Sequence, residues 1–330
     1  MKVLLVDVDS TIPNLALMKI ARYHHNLWDK VSLIRCNIKM YNPKQVEVNL
    51  SGFDKCYVSC IFNNTFKHLK IVNPDNIPID IGGSGVDLKK TLPKKIEECK
   101  PDYIIYEPGN DTSYGFISRG CIRNCEFCIV REKEGILKQV STPLEIAQHQ
   151  KVKFLDNNFL ALPNHKDLLK EIILLGKANG MRFQFNQGLD IRLIDNENAE
   201  LLSKVRYFGE YIFAFDDVKL QCIIEDKLRI VKQHIQKDWK IKFFIYSHPR
   251  MDIKTDVYYR ILWCKENKVL PYFMRDISCW GAEHDHIYKD FSAWCNQPGI
   301  FKKLTYPQFL IKRHKNKDRI KKALMVTGEV

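Results

Sequence analysis

The first hundred residues alternate between short apolar runs and amphipathic segments. Residues 2–6 are almost entirely apolar, which predicts a buried strand, and residues 15–24 repeat their apolar positions at helical spacing. Residues 31–35 and 55–62 are two further strand predictions, and residues 102–107 form another apolar run. Such alternation of strands and helices favours a small parallel α/β sheet.

From residue 114 onward the alternation becomes regular. Strands are predicted at residues 115–118, 152–155, 182–185, 211–215, 241–246 and 270–274. The helical segments between them include residues 166–177, 198–205, 220–235 and 256–267. Six consecutive β/α units predict a parallel α/β fold, in which the working residues lie at the carboxyl ends of the strands.

Length and composition agree with two domains. The chain has 330 residues, 45% of them hydrophobic, which is enough for one large core and a smaller one. The predicted divisions are residues 1–110, an α/β domain; 111–280, the six-unit core; and 281–330, a C-terminal extension. No apolar run reaches the roughly 18 residues of a membrane span, and the first strand has no signal-peptide pattern. We therefore expect a cytoplasmic protein with no membrane partner.

Three of the eleven cysteines, Cys121, Cys125 and Cys128, lie within eight residues of one another. Disulfides seldom persist inside cells, so this number of cysteines favours free thiols and a metal site. A cubane iron–sulfur cluster needs one ligand for each iron, so three thiolates leave one iron open to a small molecule. A structural zinc site would need a fourth ligand from a distant residue. The spacing therefore indicates a catalytic cluster or, as the alternative, a zinc site.

The C-x3-C-x2-C spacing, with Phe127 before the third cysteine and GFISRG before the first, resembles the radical S-adenosylmethionine (SAM) enzymes. The resemblance is strongest over residues 114–130 and covers most of the chain in outline, where it extends to uncharacterised members encoded by phages and mobile elements. It implies a [4Fe–4S] cluster on Cys121, Cys125 and Cys128, with SAM bound at the open iron.

The same resemblance implies an activity and a fold. The activity is reductive cleavage of SAM to a 5′-deoxyadenosyl radical, which abstracts hydrogen from a substrate. The electron would come from an external donor of the flavodoxin or ferredoxin type. The implied fold is a partial (β/α)6 TIM-like barrel with a smaller N-terminal Rossmann-like α/β domain and a short basic C-terminal extension.

Polar residues follow the second and third strands of the predicted core. The second strand ends in FLDNNF, similar to the segment of cobalamin-domain radical SAM proteins at the place where other members hold the SAM amino group. The third runs into FNQGLDIR, similar to family segments that contact the SAM ribose or carboxylate. The implied cofactor-binding residues are Phe127, Asp156, Asn157, Asn158, Asn186, Gln187, Asp190 and Arg192. Two alternatives stay open: a polar turn with an Asx cap at the second strand, and a simple Asp190–Arg192 bridge at the third.

The ends of the last three predicted strands also carry reactive or polar side chains. Asp216 and Asp217 follow the fourth strand, where they are candidates for holding a substrate hydroxyl or amine. After the fifth strand the chain reads YSHPRMD, where the family often has a glycine–proline–glycine turn. His248 is there a candidate general acid or base. Cys279, after the sixth strand, is a candidate hydrogen donor to a substrate radical, with an ordinary buried thiol as the alternative.

The N-terminal segment resembles the Rossmann-like module of cobalamin-binding radical SAM enzymes over residues 13–21 and 79–88. Its sequence lacks the D-x-H-x-x-G motif that ligates cobalt, so cobalamin is possible but not favoured. Gly82, Gly83 and Gly85 either bring the backbone close to a ligand or form an ordinary turn.

A second comparison is with the methylthiotransferases, whose N-terminal module holds another cluster on three cysteines. Cys36, Cys56, Cys60 and Cys99 are available here, but none follows the first strand. Cys56 and Cys60 are spaced to face one side of a strand, which favours burial over ligation.

The net charge of +13 is concentrated towards the C-terminus. Residues 302–322 contain nine Lys or Arg and one acid, Asp318: Lys302, Lys303, Lys312, Arg313, Lys315, Lys317, Arg319, Lys321 and Lys322. Such a segment would neutralise phosphates and dock a nucleic-acid substrate, or it is a solvated basic terminus. Two classes of function remain: a radical SAM enzyme, with a nucleic-acid or nucleotide-derived substrate as one option, and a non-catalytic zinc or nucleic-acid binding protein that uses the same cysteines.

Overall fold

The computed structural model describes residues 1–40, 42–106 and 109–329. The chain divides into a smaller unit, Met1–Tyr114 with Phe127–Lys133, and a larger unit, Gly115–Glu126 with Glu134–Val330. Both units contain parallel strands and helices, so the predicted α/β class is confirmed. None of the described helices is long and apolar enough to cross a bilayer.

The smaller unit is built on a four-stranded parallel sheet. Its strands, in chain order, are β1 (Lys2–Asp7), β2 (Lys30–Arg35), β3 (Val46–Asn49), β4 (Lys55–Ser59), β5 (Leu69–Val72) and β6 (Ile79–Gly82). The main sheet has the order β2-β1-β4-β6, and β3 pairs with β5 separately. The helices are α1 (Leu15–Asn26) and α2 (Lys94–Glu97). The small parallel sheet predicted for this region is thereby confirmed.

Helix α1 shows how the sequence specifies this unit. The Asn14 side chain accepts hydrogen bonds from the backbone N–H groups of Ala16 and Leu17, which caps the helix. The apolar residues at helical spacing, such as Leu17 and Ala21, are buried against the sheet. The predicted helix at residues 15–24 is confirmed, with two more residues at its C-terminal end.

In the apolar run at residues 102–107, residues 103–106 form a 3-10 helix rather than a strand. The Asp102 side chain accepts a hydrogen bond from the backbone N–H of Ile104, which favours a local turn over a ladder. The Tyr103 hydroxyl donates to the carbonyl of Tyr114, so the turn is anchored. Glu107 lies outside the described residues.

The remaining strands run from the unit boundary to residue 275. They are β7 (Thr112–Gly115), β8 (Ser118–Arg119), β9 (Lys138–Gln139), β10 (Lys151–Phe154), β11 (Arg182–Phe185), β12 (Tyr211–Ala214), β13 (Ile241–Ser247) and β14 (Leu270–Arg275). Strand β10 pairs in parallel with β11, and β13 pairs in parallel with both β12 and β14. An isolated parallel bridge joins Leu189, beyond β11, to Phe213 in β12. The last five predicted strands are confirmed to within about two residues.

Helices come after the strands, as the periodicity predicts. They are α3 (Val130–Glu134), α4 (Pro143–Ile146), α5 (His165–Asn179), α6 (Asn196–Lys204), α7 (Gln221–His234), α8 (Tyr259–Glu266), α9 (Asp285–Cys295), α10 (Pro298–Lys303), α11 (Tyr306–Arg313) and α12 (Lys317–Thr327). One turn of π-helix, Ile253–Tyr258, leads into α8. The aromatic side chains Phe154, Phe183, Phe185, Phe213 and Phe243 are buried in the core of the larger unit.

The predicted strand at residues 115–118 is wrong in its position. Strand β7 ends at Gly115, and a short strand, β8, begins at Ser118. The backbone N–H groups of Ile117 and Ser118 donate to the carboxylate of Asp156 instead of to a neighbouring strand. A side chain from a distant segment therefore replaces the strand-to-strand hydrogen bonds at these residues. The local sequence pattern cannot predict such a contact.

A buried arginine joins two strand ends in the larger unit. Arg260, on α8, has no exposed side-chain surface. Its guanidinium donates to the carbonyls of Phe215 at 2.7 Å and Tyr246 at 3.0 Å, and it pairs with Asp256 at 2.6 Å. The buried charge is thus compensated by a carboxylate and by carbonyls at the ends of β12 and β13.

The C-terminal helices are held by a second buried charge. Asp290, on α9, is fully buried and pairs with Arg313 at 3.0 Å, His314 at 2.9 Å and Arg319 at 3.2 Å. Phe309, on α11, is buried as well. The basic C-terminal segment is therefore packed into the larger unit.

Replacing Arg260 tests its role in joining the strand ends. Arg260→Leu leaves two buried carbonyls and one carboxylate without their donor, so we expect the free energy of unfolding to fall by about 3–5 kcal/mol. Arg229→Leu is the control, because Arg229 is largely exposed and pairs only with Asp226 among the described residues. Its effect should stay within about 0.5 kcal/mol. Equal shifts of the urea midpoint in the two variants would contradict this role.

Candidate functional site

Polar residues lie just beyond the carboxyl ends of five strands in the larger unit. Strand β10 is followed by Asp156, β11 by Asn186, β12 by Asp216, β13 by His248 and β14 by Asp276. In a parallel sheet these ends lie at one edge, where ligands are usually bound. The candidate site therefore lies at this edge.

Asp156 fixes the backbone that leads to the cysteines. Its side chain is 1% exposed and accepts hydrogen bonds from the Ile117 N–H at 3.2 Å, the Ser118 N–H at 2.5 Å and the Ser118 hydroxyl at 2.6 Å. Burial raises the pKa of Asp156 to about 6, although these hydrogen bonds act in the opposite direction. The geometry gives Asp156 a positioning function in the chain itself.

Asn157 holds the next part of the same segment through Glu134. The Asn157 amide donates to Glu134 at 2.8 Å, and the same carboxylate accepts from the Gly120 N–H at 3.0 Å. Gly120 has a φ of +82°, and a Cβ atom there would lie 2.4 Å from the carbonyl oxygen of Ile136. Only glycine fits this position, directly before the first cysteine.

Asn158 links the strand end to the first cysteine. Its side chain is 2% exposed, and its amide nitrogen lies 3.6 Å from the Cys121 sulfur and 3.4 Å from the Asp190 carboxylate. The Cys121 sulfur also accepts from the Arg123 backbone N–H at 3.3 Å. The side-chain oxygen of Asn158, Oδ1, is buried and has no hydrogen-bond partner among the described residues. An acceptor left open in this way is costly unless a ligand supplies a donor.

Asp190 is the centre of an ion-pair network at the end of β11. It accepts from Arg123 Nε at 2.9 Å and from Arg192 Nε at 2.6 Å. Burial acts to raise the pKa of Asp190, but the hydrogen bonds and charges of Arg192 and Arg123 outweigh it, so the pKa is lowered. The Asp190–Arg192 bridge considered from the sequence is present, and Arg123 joins it.

Arg192 remains able to bind a further anion. Burial acts to lower its pKa, but the charges of Asp190, Cys125 and Asp216 raise it overall. A guanidinium carries five N–H donors, and its Nε and one NH2 group donate to Asp190. Its other NH2 group is a donor of the kind that binds a carboxylate.

Asp216 presents a second open acceptor. One of its carboxylate oxygens is buried without a hydrogen-bond partner among the described residues. Burial raises its pKa to about 6, while the nearby Arg260 and Arg192 act to lower it. Neighbouring Asp217 instead caps a local 3-10 turn by accepting from the Lys219 N–H at 2.9 Å.

The two catalytic candidates lie in different surroundings. His248 is half-buried, and its Nδ1 accepts from the Arg250 backbone N–H at 3.1 Å. Cys279 has no exposed surface, and its thiol donates to the Ser247 carbonyl at 3.4 Å. Burial raises the pKa of Cys279. Cys279 is thus a buried thiol, and its function as a hydrogen donor to a substrate radical stays a prediction.

The other cofactor candidates are more accessible. Gln187 is exposed, Asn186 is half-buried, and Phe127, in the smaller unit, is 40% exposed. Two residues of the network were not among the sequence candidates, Arg123 and Glu134. The sequence could have indicated Arg123, because it is a cation between the first two cysteines. Nothing in the local sequence indicates that Glu134 belongs to the site.

The cysteines separate into accessible and buried thiols. Cys125 and Cys128 are exposed and Cys121 is half-buried. By contrast, Cys56 is fully buried, and burial raises its pKa to about 12. The thiolate is the form that binds metal, so the buried thiols are poor ligands. The described residues contain no group of three His, Cys, Asp or Glu side chains already arranged to hold a metal ion.

Burial also affects three cysteines of the smaller unit, Cys36, Cys56 and Cys60. Cys56, in β4, and Cys60, one residue beyond it, belong to the same apolar core, as their spacing predicts. Burial raises the pKa of Cys36 to about 11. These thiols do not present the donor set of a second cluster.

The smaller unit has the sheet edge at which a cobalamin or nucleotide module would bind its ligand. The chain places β2 on one side of β1 and β4 on the other side. Parallel α/β sheets usually bind ligands at the point where the strand order changes side in this way. There Asp9 accepts from the backbone N–H groups of Ile61 at 2.8 Å and Phe62 at 2.9 Å. A Cβ atom on Gly83 would lie 2.2 Å from the Cys60 carbonyl oxygen. Gly82 ends β6, while Gly83 and Gly85 lie in the bend and turn that follow it, packed against the backbone at Cys60 and Phe62.

The raised pKa of Asp156 predicts a pH dependence of stability. The pKa is about 6 in the folded state against an ordinary value of 3.8, so between about pH 4 and pH 6 the folded state binds more protons than the unfolded state. The free energy of unfolding contributed by this group therefore falls as the pH rises through this range. Relative to Asp156→Asn, the wild type should lose about 2 kcal/mol between pH 4 and pH 6.5. Equilibrium unfolding at a series of pH values measures the difference, and a constant difference would contradict the assignment.

Comparisons with known proteins bear on the identity of this site. No family model matches the chain. The chain is 24% identical over 185 residues to the ribosomal protein uS12 methylthiotransferase RimO of Petrotoga mobilis, a match that covers 53% of this chain and 41% of that protein. The chain thus spans less than half the length of this relative.

Among solved structures, the chain aligns with the cobalamin-dependent S-adenosylmethionine radical enzyme OxsB, determined with aqua-cobalamin and SAM bound. The TM-score is 0.45 at 12% identity, over 88% of this chain and 55% of that one. That structural likeness is too weak to support an argument about cobalamin in this chain. The sequence match to the methylthiotransferase agrees with the resemblance to radical SAM enzymes that the cysteine motif indicates.

Proposed function

We propose that the protein is a radical SAM enzyme that binds a [4Fe–4S] cluster through Cys121, Cys125 and Cys128. The observation that carries the proposal is the contact between Cys121 and Asn158, which connects the motif to the strand end expected to hold SAM. The assignment of all three ligands rests on their spacing in the chain and on the accessibility of their thiols. The sequence relative favours this enzyme class over a non-catalytic zinc protein.

The residues present fit the cofactors in their chemistry. Three thiols within eight residues supply the soft ligands that iron prefers. The open oxygen of Asn158 suits an ammonium donor, and the second NH2 group of Arg192 suits a carboxylate. When bound, the cluster would supply the electron that cleaves SAM to a 5′-deoxyadenosyl radical.

The network around Asp190 would prepare the site for these groups. Arg123 and Arg192 compensate the Asp190 carboxylate, so the strand end keeps its charges in fixed positions before SAM arrives. The backbone N–H of Arg123 and the side-chain amide of Asn158 both donate to the Cys121 sulfur. Hydrogen bonds to ligand sulfurs of this kind also tune the potential of an iron–sulfur cluster.

The wider architecture enters this proposal as well. The parallel strands of the larger unit would form part of the partial six-unit barrel of the superfamily, with a Rossmann-like module in the smaller unit. The enzyme would act in the cytoplasm with an electron donor of the flavodoxin or ferredoxin type. The substrate would reach the open oxygen of Asp216, with His248 as the candidate acid or base.

Removing one ligand tests the cluster. Cys125→Ala should lose most of the iron after anaerobic reconstitution and all reductive SAM cleavage, because each of the three thiolates is needed. Cys222→Ala is the matched control, since Cys222 is an exposed thiol on α7 outside the motif. Iron analysis and chromatography of 5′-deoxyadenosine are the measurements. Equal iron content in the two variants would refute the ligand assignment.

Removing the open acceptor tests the SAM site. Asn158→Ala should keep the iron content and weaken SAM binding by about 1–3 kcal/mol, because the ammonium loses a buried partner. Asn164→Ala is the control, since Asn164 is exposed and its side chain contacts only the Gln139 side chain among the described residues. Calorimetry on reconstituted protein measures the affinity. Unchanged affinity in Asn158→Ala would show that SAM is held elsewhere.

A further inference from the structure

The cations of the C-terminal segment fall into two groups with different tasks. Arg313, His314 and Arg319 converge on the fully buried carboxylate of Asp290. A buried charge of this kind has to be compensated, so these three side chains stabilise the packing of the C-terminal helices around Asp290. Asp290 thus compensates part of their charge, although the sequence counts both arginines with the basic segment.

The lysines of the segment form the second group. All seven are exposed, and no ion pair involves them within the described part of the chain: Lys302, Lys303, Lys312, Lys315, Lys317, Lys321 and Lys322. The single acid among them, Asp318, is exposed as well. The surface of this segment therefore carries uncompensated positive charge, which attracts phosphates.

Two of these lysines line a groove in the larger unit. The groove has a volume of about 600 Å³ and lies where α9, α10 and α11 meet. Lys303 and Lys312 line it together with the apolar side chains of Pro298, Ile300 and Leu304. Its size is in the range of pockets that take small organic groups.

The wall of the groove is held firmly. The Asn296 side chain accepts from the Phe273 N–H at 2.7 Å and donates to the Phe273 carbonyl at 3.1 Å, which ties the start of α10 to β14. The Lys265 ammonium donates to the carbonyls of Phe301 and Leu304 at the other end of α10. The lining is thus formed before any ligand binds, which lowers the entropic cost of binding.

We propose that this groove binds a nucleotide unit of a single-stranded nucleic acid. The ammonium groups of Lys303 and Lys312 pair with backbone phosphates, and an unpaired base lies on the apolar floor of Pro298, Ile300 and Leu304. A duplex would hide the base faces, so the apolar floor favours a single strand. The other exposed lysines extend the contact along the strand. The inference does not depend on the cluster, because it uses none of the residues assigned to it.

The test compares two double variants of the full-length chain. Lys303→Gln with Lys312→Gln removes both groove cations, while Lys317→Gln with Lys322→Gln removes two exposed cations on α12 outside the groove lining. Binding of fluorescein-labelled single-stranded oligonucleotides of RNA and DNA, about 15 nucleotides long to span one binding site, is followed by anisotropy over a range of salt concentrations. We expect the groove variant to bind about tenfold more weakly, with a log–log salt slope about 1.4 units smaller, which corresponds to two lost phosphate contacts on a single strand.

Further probes separate a nucleotide site from general attraction between charges. An abasic strand and a duplex of the same length should bind more weakly than the single strands, because neither offers an accessible base. The ratio between the RNA and DNA arms shows which polymer is preferred. Equal losses in the two double variants, or equal binding of the abasic strand, would overturn the proposal. Thermal unfolding confirms that both variants are folded, and Cys125→Ala should bind the strands as the wild type does, whether or not the cluster assignment holds.

Discussion

Three consecutive residues after one strand hold the segment that carries the cysteine motif. Asp156 binds the backbone at Ile117 and Ser118, Asn157 acts through Glu134 on Gly120, and Asn158 reaches the Cys121 sulfur. An irregular segment has few backbone hydrogen bonds of its own, so it takes its shape from these side chains. The position of Cys121, and with it the chemistry proposed for the site, depends on how β10 ends.

Two buried charges support the framework around this strand end. Arg260 joins the ends of β12 and β13, and Asp290 draws the C-terminal helices onto α9. Each is fully buried, so each would be costly without its partners. Because the partners come from different segments, these charges specify how those segments pack, in addition to any stability that they provide.

Burial sorts the thiols by reactivity. The cysteines of the motif are accessible, while Cys56, Cys264 and Cys295 are fully buried with raised pKa values. A cysteine-rich chain can therefore bind a metal at one place without competing ligands from its core.

The sequence by itself determined the α/β class, five of the six strands of the core, most helices and the motif, because these depend on local periodicity and spacing. It also placed polar residues at the strand ends, since the order of residues decides which side chains come after each strand. Only the tertiary structure decided that the predicted strand at residues 115–118 is interrupted, and that Glu134 and Arg123 join the site. It also decided which cations of the C-terminal segment pair with Asp290, namely Arg313 and Arg319, and which line the groove, namely Lys303 and Lys312. Those outcomes depend on contacts between residues distant in the sequence. A buried carboxylate or arginine needs charged or hydrogen-bonding partners, and the fold decides which segments supply them.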